Sequence, residues 1–150
     1  MNEIPVPALL VRITTHTCAL KLSDVIEVMR PLPVEALAGA PEMVRGISVI
    51  RGRPVPVVAL AALFSGAAGS PTRWVLLRTG DKRVALAVDA VLGVDEFASS
   101  GLTTMPPLLR DAAAGVVEAI GALDSELLFV LNTVGIIPHD LLESLACRER

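Results

Sequence analysis

The histidines and cysteines of this 150-residue chain, His16, His139, Cys18 and Cys147, are candidate bases and nucleophiles by type. Catalysis would need each of them oriented by a partner in a polar setting. His16 lies in "THT" (15–17), and no motif surrounds it. His139 is followed by Asp140, which reads as an acidic side chain at the positive end of a C-terminal helix. A reactive thiol wants an electropositive, partly exposed site, but Cys18 sits in the apolar "TCAL" and reads as a small buried hydrophobe. The two cysteines are far apart and form no C-x-x-C, so free thiols and no metal site are expected. Glycines 66, 69, 80, 93 and 101 make no phosphate-binding fingerprint, and Trp74 and Met105 read as core or loop anchors, so no cofactor is expected. Asp89, between two apolar runs, reads as a turn or bulge residue. What remains is recognition. "GISVIRGRPVPVVAL" (46–60) sets Arg51 and Arg53 around Gly52 inside an apolar run. A guanidinium there can grip a carboxylate through two parallel hydrogen bonds and keep donors for a partner.

The elements that must position these arginines read mostly as strands. "ALLVRIT" (8–14), "TCALKLS" (17–23) and "VIEVM" (25–29) are short and apolar or alternating, with "THT" as the first turn. Residues 33–46 read as a loop with at most one helical turn. "ISVI" and "PVPVVA" flank "RGR" as a hairpin, with Gly52 supplying a permissive backbone. Pro54 and Pro56 remove ladder donors, which places the second arm at a sheet edge. "LAALF" (60–64) reads as a short helix and "GAAGSP" (66–71) as a linker. Two more apolar stretches (73–80 and 82–97), a long loop, a hairpin around Asp124-Ser125 and a C-terminal helix from Pro138 complete the chain.

Composition bounds the function. The chain is 53% hydrophobic and 3% aromatic, which is globular rather than disordered. A net charge of −3 without a basic run gives no footprint for nucleic acid or an anionic membrane. Its apolar runs break well before the roughly 20 residues of a bilayer span. The N-terminus lacks the pattern of a signal peptide, so the expected location is cytoplasmic.

The second half echoes the first. "CALKLSDVIEV" (18–28) aligns with "VALAVDAVLGV" (84–94) without a gap, and "VIRGRPVPVVALAALF" (49–64) aligns with "ALDSELLFVLNTVGII" (122–137). The second alignment sets one turn on the other, Arg51-Gly52 on Asp124-Ser125. Five short strands per half predict two small barrels, each marginal alone, joined by a shared apolar face.

"VRGISVIRGRPVPVVALAALF" (44–64) resembles the signature of the CheW-like domain family, in which a basic residue and Gly precede a strand, Asn-Leu-Arg-Gly, Pro-Val and Asp-Leu. "VALAVDAVLGVDEF" (84–97) and "AIGALDSELLFVLNTVGII" (119–137) resemble its later motifs. The resemblance spans about residues 8–142 and implies one all-β domain over 1–150 with short helices. That domain would hold two five-stranded SH3-like β-barrels around a common core. The expected subdomains are roughly 15–80 and 81–135, the second with the N-terminal strand 8–14. The resemblance also implies a non-catalytic adaptor that joins chemoreceptor cytoplasmic tips to the regulatory domain of a CheA-type histidine kinase. Glu27 matches a family glutamate that tends to pair with the arginine at position 51. The expected partner-binding residues are Val25, Glu27, Gly46, Ile50, Arg51, Gly52 and Val88, with a receptor helix lying beside Val25, Gly46, Ile50 and Val88. The rival reading of these four is that they seal the inter-barrel core. Three positions depart from the pattern: Ala59 and Asn132 replace Asp, and Ala119 replaces Gly. They leave open a divergent module in a pilus or other non-flagellar pathway that binds only one partner. A small β-barrel enzyme or ligand-binding protein is the reading from another class.

Overall fold

The structure, a computed structural model, describes residues 5–40, 43–64, 71–104 and 115–136. The expected linker at 66–71 lies almost wholly outside these residues, and Met105, His139, Cys147 and the C-terminal helix lie outside them entirely. Eleven strands are described, and they are numbered here in chain order. The first repeat holds β1 (Val6–Ile13), β2 (His16–Lys21), β3 (Val25–Met29), β4 (Val44–Ile50) and β5 (Arg53–Ala59). The second holds β6 (Arg73–Thr79), β7 (Lys82–Val88), β8 (Ala90–Phe97), β9 (Thr103–Thr104), β10 (Val117–Leu123) and β11 (Glu126–Leu131). A 3-10 turn, Ala61–Phe64, follows β5, and a one-turn helix α1, Thr133–Ile136, follows β11.

The strands form a six-stranded sheet, β8-β1-β2-β11-β10-β9, and a five-stranded sheet, β3-β6-β7-β5-β4. Each sheet therefore mixes strands of both repeats. The five-stranded sheet runs over 25–88, and the other takes 6–21 and 90–131. The division between the sheets falls near residues 22–24 and 89 rather than at 15 and 80. A strand whose two faces are both apolar cannot stay at the rim of its own half; it is buried on both sides only by lying between sheets.

That burial pattern is regular. Leu9, Val11, Cys18, Leu20, Val75, Leu77, Val84, Leu86 and Val88 form one core shared by the two sheets. The alternate residues of the same strands face the inside of their own barrel. Trp74, Leu76, Ala85 and Ala87 join Ile50, Val55 and Val57 in one. Ala8, Leu10 and Ala19 join Leu128 and Val130 in the other. This is why the sequence there is unbroken rather than alternating in hydropathy.

The repeat holds at the level of pairing. Val25 pairs with Leu77, and an offset of 66 carries that pair onto Val91 with Val11. Val57 pairs in parallel with Ala85, and the offsets of 73 and 66 carry that pair onto Val130 with Ala19. Even the irregularities repeat. The bulge of β4 between Val44 and Gly46 recurs in β10 between Val117 and Ala119.

Two local expectations change. The first turn is Thr14-Thr15, and His16 already pairs with Ile13 in β2. Asp89 holds this turn: its Oδ2 accepts the Thr14 backbone N–H at 3.0 Å, where Thr14 is left-handed. Second, β5 is not an edge strand, because it lies between β7 and β4. The prolines still fit. Ile50 and Arg53 close the hairpin, so Pro54 opposite Val49 and Pro56 opposite Ile47 fall on pairs that exchange no ladder hydrogen bonds. On the other side, β7 begins to pair only at Val57.

Candidate partner-binding site

The β4–β5 turn consists of Arg51 (φ 52°) and Gly52 (φ 79°). Two left-handed residues in succession are what a tight two-residue hairpin demands, and Asn, Asp or Gly normally supply them. In the equivalent turn of the second repeat the left-handed first residue is Asp124, at φ 56°. Arginine at position 51 departs from that preference, so the turn alone does not account for it.

Its side chain does. Arg51 Nε donates to Glu27 Oε1 at 2.9 Å, and its terminal nitrogen donates to Oε2 at 2.7 Å. This is a fork-on-fork contact. The hydrogen bond from Arg51 is the largest cause holding the Glu27 carboxyl below its ordinary value of 4.5. Glu27 in turn pushes the guanidinium up. The Arg51 side chain remains 68% exposed, against 28% for Glu27.

The pair does not join strands that neighbour each other in the sheet. β3 and β4 are the two ends of the five-stranded sheet. Curling of the sheet brings its ends together without a ladder between them, and the pair spans that seam. Elsewhere along β4 the seam is covered by the segment after β3. Glu35 and Ile47 exchange backbone hydrogen bonds of 2.8 and 2.9 Å, and Ser48 Oγ donates to the Pro33 carbonyl at 2.9 Å.

The other expected site residues fare differently. Gly52 is exposed beside Arg51. Val25 is half-buried and packs on the shared core. Ile50 and Val88 are sealed in the barrel core and the shared core. They are core residues and present no side chain to a partner. Strand parity is the reason: along β4, positions 44, 46, 48 and 50 face inward and Arg45 and Val49 face outward.

Gly46 is buried, at φ 151°, and a Cβ there would run into the Glu35 carbonyl and the Val34 side chain. The close neighbour is the chain's own backbone rather than a partner helix. Gly46→Ala should therefore lower stability, by roughly 1–3 kcal/mol, since a fixed backbone has to shift to make room. Chemical denaturation would check this; an unchanged midpoint would show that the 33–35 segment moves freely.

Sequence reasoning missed the outward residues. Ile26 and Val28 are exposed on β3, on either side of Glu27, and Leu32, Val34 and Val49 are exposed nearby in the chain. Leu92 and Val94, their equivalents in the second repeat, are exposed on β8. β3 and β8 each end a sheet. The signal was alternation in "VIEVM": an end strand leaves one of its two faces bare.

The second barrel has no copy of the ion pair, since the offsets put Gly93 at the place of Glu27 and Asp124 at that of Arg51. The departures at 59 and 132 are also unlike each other. Asn132 Oδ1 accepts the Val134 backbone N–H at 3.1 Å and caps α1. Asn thus does the work of Asp there. Ala59 precedes the equivalent 3-10 turn and offers no side-chain oxygen. Ala59→Asp should gain about 1 kcal/mol of stability by capping that turn. A thermal melt at neutral pH tests this, and a lowered Tm would refute it. Ala119 is not left-handed, so nothing at that position demands glycine.

Among the described residues no cluster of three His, Cys, Asp or Glu is placed to hold a metal, and no helix is long and apolar enough to cross a membrane. Cys18 is buried, and burial pushes its thiol up to about 12, far from the reactive range. The His16 ring is tilted against Phe64 and edge-on to Phe129, with centroids 5.0 and 5.4 Å away.

A family model described as the CheW-like domain matches residues 7–141. Among solved structures, the chain resembles a crystal structure titled as the scaffolding protein TtCheW from Thermoanaerobacter tengcongensis. The TM-score is 0.76 at 24% identity, over 88% of this chain and 87% of that one. No curated protein matches the sequence.

Proposed function

The chain belongs to the CheW-like domain family of non-catalytic scaffolds, and from that membership we propose that it couples chemoreceptors to a CheA-type histidine kinase. It would act in the cytoplasm, at receptor arrays, with the kinase's regulatory domain as one partner and the receptor's cytoplasmic tip as the other. The observation that carries this reading is the Arg51–Glu27 fork at the hairpin tip. It is an exposed, charged device held in a left-handed turn that folding alone would fill with Asn, Asp or Gly. Arg51, Glu27 and Gly52 are the assigned recognition residues. The exposed Ile26 and Val28 beside Glu27 supply apolar area of the kind that receives a helix. Val25 supports that strand from behind.

The test is reconstitution. A receptor-tip fragment, the kinase's regulatory domain and this chain are mixed in pairs and together. Capture of the kinase domain by the receptor only when this chain is present supports the adaptor. Binding of one partner alone favours a divergent single-partner module, and binding of neither overturns the reading.

A further inference from the structure

One end of the first barrel carries charge that its fold does not require. There β6 ends where β7 and β5 begin, since β7 runs antiparallel to β6 and parallel to β5. Arg78 of β6 sits directly opposite Arg83 of β7. Two residues further in, Leu76 and Ala85 lie in the barrel core with Val55 and Val57 of β5. Side chains two apart share a face, so Arg78, Arg83 and Arg53 top that same core from three adjacent strands. Arg53 and Arg78 are exposed and Arg83 is half-buried. None of the three makes an ion pair among the described residues. The acids at this end leave them so: Glu27 is held by Arg51, and neither Asp24 nor Asp81 pairs with an arginine among the described residues.

Like charges set directly opposite on antiparallel strands cost stability, and the second repeat shows a barrel end without them. The offsets of 66 and 73 carry Arg78, Arg83 and Arg53 onto Arg12, Thr17 and Glu126. There Arg12 lies opposite Thr17, and Thr17 Oγ1 donates to Glu126 at 3.5 Å. The same backbone thus closes one barrel with a cation, a hydroxyl and a carboxylate, and the other with a cluster of cations. We propose that the Arg53, Arg78 and Arg83 cluster binds a phosphate chain, either free or as the tail of a nucleotide. A lone carboxylate would offset one of the guanidiniums. A phosphate chain brings several charges, on oxygens that suit their forked donors. The cluster is two strand spacings wide, about 10 Å, which is a patch rather than the stripe an extended nucleic acid follows. The inference stands apart from the adaptor reading, since it uses neither kinase nor receptor.

Isothermal titration calorimetry at low ionic strength, with inorganic tripolyphosphate and with ATP as probes and no added metal, tests the site. Wild-type protein should bind tripolyphosphate saturably. Arg78→Gln and Arg83→Gln should each weaken that binding by about tenfold or more. Arg12→Gln, at the equivalent place in the second barrel, should leave it unchanged. Without ligand, Arg78→Gln should melt no lower than wild type, because it relieves the repulsion from Arg83. Tighter binding of ATP than of tripolyphosphate supports a nucleotide as the ligand, and equal or weaker binding supports a free chain. Saturable binding of neither probe, equal weakening by Arg12→Gln, or an Arg78→Gln variant that melts well below wild type yet binds normally would each overturn the proposal.

Discussion

A chain cut between Phe64 and Thr72 should give two halves that stay unfolded apart and form the native structure when mixed. The reason is strand allocation. The first half would hold β3, β4 and β5 but lack β6 and β7, which lie between β3 and β5 in the sheet. The second half would hold β8, β10 and β11 but lack β1 and β2. Neither half could assemble even one complete sheet, and the shared core would lose about half of its side chains in each. A fragment of that size with bare apolar strands is below what one core can hold together. Mixed halves regain all the pairings at the cost of one association step. Far-UV circular dichroism of each half and of the mixture reads the outcome. An independently folded half with a cooperative melt would show that each repeat is a domain in its own right, and would contradict the interleaving. The same allocation makes the intact chain one cooperative unit. Leu86→Ala, in the shared core, should cost about 2–5 kcal/mol and lower the stability of both barrels together.

The interleaving also sets how far the sequence could be read. The repeat was visible because turn residues and apolar positions recur at constant offsets, and each pairing of the fold respects those offsets. What a repeat of two similar halves does not specify is exchange. β3 can pair with the first strand of its own half or with that of the other, and the side-chain pattern is the same in both cases. Only the three-dimensional fold shows that Val25 meets Leu77. At the site, the Glu27–Arg51 pair was legible through the family resemblance, which implied Glu27 as the partner of an arginine that the turn itself does not require. The flanking residues were not, because Val, Ile and Leu satisfy a core and an interface equally well. Ile50 and Val49 differ by one methylene and by which face of a pleat they occupy. One is 2% exposed and the other 67%. A one-residue choice of parity thus decides which of these side chains meets solvent. The departures at 59 and 132 were legible as departures, but their consequences were local. One kept its hydrogen bond through an amide, and the other lost it.

Arg51→Gly should weaken partner capture by about tenfold or more while leaving Tm at or slightly above that of the wild-type chain. The two halves of this expectation have separate causes. Position 51 is left-handed, so glycine removes a steric cost that arginine bears, offset in part by the greater freedom of glycine in the unfolded chain. The ion pair that is lost is solvent-exposed, and such pairs add little to folding. Binding loses a side chain that is already oriented. In the free protein Glu27 holds the guanidinium through two hydrogen bonds, so a partner that meets it does not have to order it. Glu27→Gln should therefore weaken capture too, but less, since Arg51 stays present and loses only its brace. The pH dependence follows from the same pair. Glu27 titrates below 4.5 in the folded chain. A depressed carboxyl contributes its full effect above its unfolded value and loses it as pH falls through the folded one. Between about pH 6 and 8 the pair is ionised throughout, so capture that depends on it should be flat there and weaken only in acid. Pull-downs with each partner, beside thermal melts of the same preparations, distinguish the causes. A variant that melts well below wild type yet binds normally would make Arg51 a folding residue and remove it from the site.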